Sequence, residues 1–290
     1  MYLVDFFKRV TRKSNVPVII YCVINVFIIS MFFISAGGKG IMLGLLLYAG
    51  SLALALSPFG EWILRLQTKC KKIKNEEQLN AIMPIFNEVY TKAREKDPSI
   101  SNDVKLFICQ DKSVNAFATG RKTICVTEGI FQLPSEEIKA VLSHEFGHIS
   151  HKDTDMILMV TVGNLFITVA LTCFRIIVNL MCIFADIFSN SFLGSIGSII
   201  VSFLTTLFID LFMLIWTKFG TALVMKSMRA NEYEADEFAC QMGYGRELCL
   251  VLDKTGTRGA KGLFAALSST HPASEDRVSK IEEMLREERV

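Results

Sequence analysis

The chain has 290 residues and a formal net charge of +2, and 51% of it is hydrophobic, with 22 phenylalanines and a mean hydropathy of +0.39. That composition excludes an ordinary soluble protein and places part of the chain in lipid. The small charge gives no case for a nucleic-acid partner, and the basic residues cluster beside apolar segments instead.

A basic tail with Lys8, Arg9, Arg12 and Lys13 precedes residues 16–36, which carry no charge. About 21 residues is enough to cross a bilayer and too long for the apolar part of a signal peptide, so no cleavage is expected there. Gly37-Gly38-Lys39 makes a turn, and residues 40–58 form a second uncharged run, completing a first transmembrane hairpin. The cluster Arg65, Lys69, Lys71, Lys72 and Lys74 outweighs the single Lys39 of the turn, which places the N-terminus and the cluster in the cytoplasm.

From 76 to about 95, Ile82, Ile85, Phe86, Val89 and Ala93 recur at helical spacing, with Pro84 expected to kink or split the helix. Residues 104–109 and 123–126 read as strands, separated by the turn chemistry of Asp111-Lys112-Ser113 and Thr119-Gly120-Arg121, with Asn115-Ala116-Phe117-Ala118 as a short strand between them. A helix over about 135–152 follows, with Ser135 as its N-cap candidate and Glu136 and Glu137 in its first turn. Residues 156–185 and 187–217 form a second transmembrane hairpin turning near Ser189-Asn190-Ser191, with Lys218, Lys226 and Arg229 at its exit. The chain thus divides into a first hairpin (1–60), a cytoplasmic part (61–155), a second hairpin (156–217) and a second cytoplasmic part (218–290). Arg175 and Asp210 interrupt the apolar runs; counted from the cytoplasmic ends they lie at depths about 18 Å apart, so no pairing is expected and bundle-facing or snorkelling roles are preferred. The eight cysteines form no C-x-x-C pair and read as buried free thiols of a reducing compartment.

His144-Glu145-Phe146-Gly147-His148 carries the chemistry. On a helix, His144 and His148 share a face one turn apart and can reach one metal, with Glu145 beside them aimed at water. A hydrolytic zinc site takes three protein ligands. The completion H-E-x-x-H-x-x-G-x-x-H fails, because His151 and Thr154 stand at its glycine and last histidine positions. In Asn231-Glu232-Tyr233-Glu234-Ala235-Asp236, Glu232 and Asp236 share a helix face; Glu232 is the candidate ligand, and Asp236 the candidate partner of the far nitrogen of His144. The plain alternative is a solvated acidic face. His151 reads as a cation at the end of its helix rather than a ligand. The segment Asn115, Ala116, Phe117, Ala118 is either a buried hairpin strand or an edge strand to which an extended substrate adds by main-chain hydrogen bonds.

These stretches, together with His271-Pro272, Arg277 and four spans in a two-plus-two arrangement, resemble the HtpX-type membrane zinc metallopeptidases and the related CAAX prenyl endopeptidases. The resemblance implies a gluzincin-like integral membrane protease, mainly α with a small β sheet, holding one Zn2+ on His144, His148 and Glu232. It implies Glu145 as catalytic base, Asp236 behind His144, and His271 and Arg277 near the active site, with His271 as the candidate second stabiliser of the oxyanion. The expected protein is multi-pass in the plasma or inner membrane, with both termini and the site cytoplasmic, acting on proteins or peptides in quality control of membrane proteins. A prenyl-protein endopeptidase, or a scaffold with a structural metal, are the alternatives.

Overall fold

The computed structural model describes residues 4–6, 8, 16–31, 33, 37–188, 192–255 and 274–287. Its elements are α1 (Val16–Met31), α2 (Gly38–Ala55), α3 (Pro58–Gln67), α4 (Glu76–Lys96), β1 (Lys105–Cys109), β2 (Ala116–Ala118), β3 (Thr123–Thr127), a 3-10 turn (Glu128–Gln132), α5 (Ser135–His151), α6 (Thr154–Thr161), α7 (Leu165–Phe188), α8 (Phe192–Gln241), α9 (Gly245–Thr255) and α10 (Ser274–Glu287). Among the described residues three helical stretches are long and apolar enough to cross a membrane: Gly38–Ala55, Ile167–Phe188 and Gly194–Gly220. Helix α1 is apolar but has 16 residues, and it packs along α2.

Helix α4 starts where Asn75 accepts hydrogen bonds from the Glu77 and Gln78 amides, and it runs unbroken through Pro84 to Lys96. The expected split does not occur. Its apolar stripe, Ile82, Phe86, Val89 and Ala93, buries against the sheet and α5. The sheet has the order β1-β3-β2, with β1 parallel and β2 antiparallel to β3. Strand β2 is therefore an edge. Beyond it, Gly120 has φ +156° and lies against Glu61 of α3 so closely that a Cβ would fall 2.2 Å from that side chain. The next residue, Arg121, donates its amide to Glu61 and its guanidinium to Asp155 of α6 and to Asp5. These bonds pin the β2–β3 turn to the apolar helices.

Thr154–Thr161 is a separate, largely buried helix, packed with α1, α2 and α3 in an apolar core that includes Val18, Tyr48, Leu64 and Met159. Helix α7 thus begins at Leu165, after a break at 162–164, while α8 continues for 50 residues, about 75 Å, without a break. The shift removes the supposed difference in depth: Arg175 Nη1 donates to Asp210 Oδ1 at 2.8 Å, and Ser202 donates to Asn179 in the same seam. The expectation that Arg175 and Asp210 do not pair is thereby overturned. A single helix carries the chain from the hairpin turn to the acidic run at 232–236.

Candidate active site

Helix α5 begins at Ser135, with Pro134 rather than Ser135 in the N-cap position and no side-chain cap. Its inner face is buried from Ile138 to Ile149, with Phe146 stacked 5.5 Å from Tyr90 and tilted against Phe86 at 5.7 Å. Opposite, α8 crosses α5 at Gly147, where a Cβ would stand 2.8 Å from the Ala235 Cα. Only glycine permits that approach, and it brings the His144/His148 face against Glu232 and Asp236.

His144 Nε2 and His148 Nε2 lie 3.1 Å apart, and Glu232 carboxylate oxygens lie 3.5 Å from the first and 3.4 Å from the second. All three residues are buried. His144 Nδ1 is 2.9 Å from Asp236 Oδ1, and His148 Nδ1 is 2.9 Å from Asp153 Oδ2. With a carboxylate taking each Nδ1 proton, the neutral rings turn unprotonated Nε2 atoms toward each other. Two such lone pairs at 3.1 Å repel unless a proton or a metal ion lies between them. Ligand atoms 2.0–2.1 Å from a tetrahedral metal are about 3.3–3.4 Å apart, close to the 3.1 Å between the two nitrogens and to the 3.5 and 3.4 Å at which a different Glu232 oxygen approaches each ring. The donor set thus fits a metal.

Around the triangle, Arg277 donates to both Asp236 oxygens at 2.6 and 2.8 Å and lies 3.4 Å from Glu232, so the buried carboxylates share a buried cation. Burial would raise Asp236, but the Arg277 and His144 contacts outweigh it and hold the carboxyl below its ordinary value. Glu145 is fully enclosed; burial raises its pKa, against the opposing influence of both histidines. Its Oε2 accepts the Ala118 amide at 2.9 Å, which links the acid directly to β2.

Asn115, Ala116, Phe117 and Ala118 are therefore adjacent to the site. Asn115 and Thr119 bond to β3 through their backbones, so in the antiparallel alternation Ala116 and Ala118 direct theirs to the open edge. Ala118 meets Glu145 there. His151 ends α5 edge-on to Phe238, away from the triangle. His271 lies outside the described residues. Asp153 escaped the sequence reading: Lys152 caps α5 in the left-handed region, φ 61°, and the chain turns back so that the Asp153 amide bonds the His148 carbonyl. Glycine or asparagine usually marks such a turn, and lysine does not. The available signal was an acid just past the end of the helix.

The model of peptidase family M48 matches residues 74–285, which takes in every element of the site. The chain belongs to peptidase family M48. Protease HtpX of Alcanivorax borkumensis is 26% identical over 93% of this chain and 96% of its own length, and a protease HtpX homolog of Desulfotalea psychrophila is 26% identical over 86% and 89%. The crystal structure of S. mikatae Ste24p aligns with TM-score 0.44 and 19% identity, over 96% of this chain and 64% of that one. As an M48 member with long apolar helices, the chain is a membrane metallopeptidase, with a His-His-Glu cluster able to hold the metal.

Proposed function

We propose that this M48 chain is a zinc-dependent endopeptidase in which His144, His148 and Glu232 hold one zinc ion and Glu145 is the general base. The observation that carries the reading is the buried pair of Nε2 atoms 3.1 Å apart, with one Glu232 oxygen 3.5 Å from His144 and the other 3.4 Å from His148, beside an acid anchored to an edge strand. Two nitrogens and one oxygen, leaving a position open, are the donor set of hydrolytic zinc. When bound, zinc supplies Lewis acidity toward water and toward the scissile carbonyl.

The chain's own residues do the rest. Asp236 and Asp153 fix both imidazoles with Nε2 free, and Arg277 balances the acids around them. Glu145 takes a proton from the attacking water and gives it to the leaving amine; burial raises its pKa above the ordinary carboxylate value, the direction that favours accepting a proton. An extended substrate adds to β2 at the Ala116 and Ala118 edge, placing its backbone over Glu145. His271 is the candidate partner for the oxyanion.

The basic cluster after α3 favours a cytoplasmic site and a plasma or inner membrane location, with four spans in two hairpins. The largely exposed apolar surface of α7 and α8 favours membrane proteins as substrates over an enclosed chamber for lipidated C-termini. Glu145→Gln should keep stoichiometric zinc and lose about 10²- to 10⁴-fold in peptide cleavage. Undiminished cleavage would refute the base, and full zinc occupancy in Glu232→Ala would refute the third ligand.

A further inference from the structure

Helix α3 begins just beyond the cytoplasm-proximal end of the apolar helix α2. Ala55 ends α2, Ser57 caps α3 by accepting the Phe59 and Gly60 amides, and Gly60 lies so close to Ala55 that a Cβ would fall 1.9 Å from its carbonyl oxygen. The ten residues of α3 carry apolar groups on two opposite sides. Gly60, Glu61 and Leu64 are buried, and Leu64 joins Leu52, Ala55 and Met159 in the apolar core. On the other side Phe59, Trp62 and Leu66 are 47%, 46% and 58% exposed, with the Phe59 and Trp62 rings 5.5 Å apart. Leu54, in the last turn of α2, is exposed as well. An exposed aromatic and aliphatic stripe at the end of a membrane-length helix is fitted to the boundary between acyl chains and headgroups.

The residues that follow are basic. Arg65, Lys69, Lys71, Lys72 and Lys74 put five positive charges between 65 and 74 without an acid; the first acids after them are Glu76 and Glu77. Arg65 turns inward, its guanidinium 4.9 Å over Phe107 and donating to Thr123. The four lysines are exposed, and among the described residues none of them is ion-paired. Backbone bonds hold the segment instead, since Lys71 exchanges both of its main-chain hydrogen bonds with Ile108 of β1 at 2.8 Å. Four uncompensated ammonium groups thus stand beside the exposed apolar stripe.

We propose that the outer face of α3, together with Lys69, Lys71, Lys72 and Lys74, is a docking surface for anionic phospholipid headgroups, and that this seat holds the edge strand β2 at the membrane face. The stripe follows directly from an apolar helix of membrane length, which favours a bilayer over an acidic protein segment as its occupant. The lysines then select anionic over zwitterionic headgroups. The inner face of the same helix supports the candidate site: Glu61 accepts the Arg121 amide at 2.8 Å, Gly120 packs on Glu61, and Ala118, two residues before Gly120, gives its amide to Glu145. Helix α3 is thus a plate with lipid on one side and the β2–β3 turn on the other. Its seating sets the height of the substrate edge above the bilayer.

The lipid contact is independent of the proposed peptidase mechanism; the effect on cleavage rests on it. The test places full-length, zinc-loaded protein in nanodiscs of phosphatidylcholine, alone or mixed with phosphatidylglycerol. Trp62 is one of two tryptophans, so its fluorescence is the difference between wild type and Trp62→Phe. Lipids brominated close to the headgroup should quench it, and mass spectrometry of detergent-purified protein should find phosphatidylglycerol retained over phosphatidylcholine. Cleavage of a single-span substrate next to its span should rise severalfold with phosphatidylglycerol, and high salt should abolish the rise. The combined variant Lys69→Gln, Lys71→Gln, Lys72→Gln and Lys74→Gln should lose the retention and the rise, while zinc content, thermal melting and cleavage of a short soluble peptide stay at wild-type values. An unquenched Trp62, a combined variant that keeps the lipid preference, an equal loss on the soluble peptide, or a rise reproduced by glycerol phosphate in solution would each overturn the proposal. Absence of cleavage in every sample would refute the peptidase reading, and quenching and retention would still decide the lipid surface.

Discussion

The two halves of α8 obey opposite rules. Along Gly194–Gly220 apolar side chains such as Phe203, Leu207 and Phe208 point outward, and polar groups pair across the hairpin, Ser202 with Asn179 and Asp210 with Arg175. Beginning eleven residues on, Asn231, Glu232 and Asp236 are buried, each acid held by a histidine or arginine, under a close contact of helix backbones at Gly147. The first half is fitted to lipid, where only polar groups need partners. The second is fitted to a dense protein interior, where every atom's volume counts as well. One continuous helix lets the membrane anchor fix the position of a ligand.

That contrast fails most visibly at the crossing. Gly147→Val drives a side chain into the Ala235 backbone; we expect loss of bound zinc and of cleavage, with destabilisation of about 1–3 kcal/mol or more, read by metal analysis and thermal melting. Gly197→Val in the apolar half, where nothing lies within 4 Å of the added Cβ, should leave both unchanged. Equal damage from the two would remove the distinction between the halves.

Next in size is the histidine support. Asp153→Ala should weaken zinc about 10- to 100-fold in a competition titration, by freeing His148 to rotate and change tautomer. Asp210→Asn, a change in the other half, should leave zinc affinity at the wild-type value.

The pH dependence is the third. In the metal-free protein burial pulls both histidines down, but Asp236 and Glu232 outweigh it at His144, and Glu232 and Asp153 at His148, so both are raised. Their protonation therefore stabilises the metal-free fold fully below the ordinary histidine value near 6.5 and loses that effect as pH rises through the raised values. Zinc needs both rings neutral, so its apparent affinity should be flat above the raised values and fall below them, approaching about 100-fold per pH unit when both protons are displaced. Asp153→Asn removes one raising contact and should move the onset to lower pH.

The smallest effect is expected at the seam of the hairpin. Arg175→Gln should leave zinc binding intact and lower the yield of inserted protein, since Asp210 loses its partner among apolar side chains. An unchanged yield would make the pair incidental to the hairpin.

What the sequence determined by itself is whatever repeats within a helical turn or along an apolar run. His144 and His148, Glu232 and Asp236, and the uncharged stretches are short-range patterns, and the helical period alone puts each pair on one face. Pro84 shows the limit of such rules: it sits in the ninth position of α4, and the packing of Ile82, Phe86 and Val89 on both sides of it keeps the helix whole. Only the tertiary structure decided that the two pairs meet, because that depends on Gly147 and Ala235 admitting two helix backbones to contact. It alone brought Asp153 beneath His148, through a lysine in a left-handed turn, and paired Arg175 with Asp210, through where α7 begins. It alone gathered Cys70, Cys109 and Cys125, which no spacing in the chain announces, since strand register and not sequence distance sets which side chains face each other across a sheet.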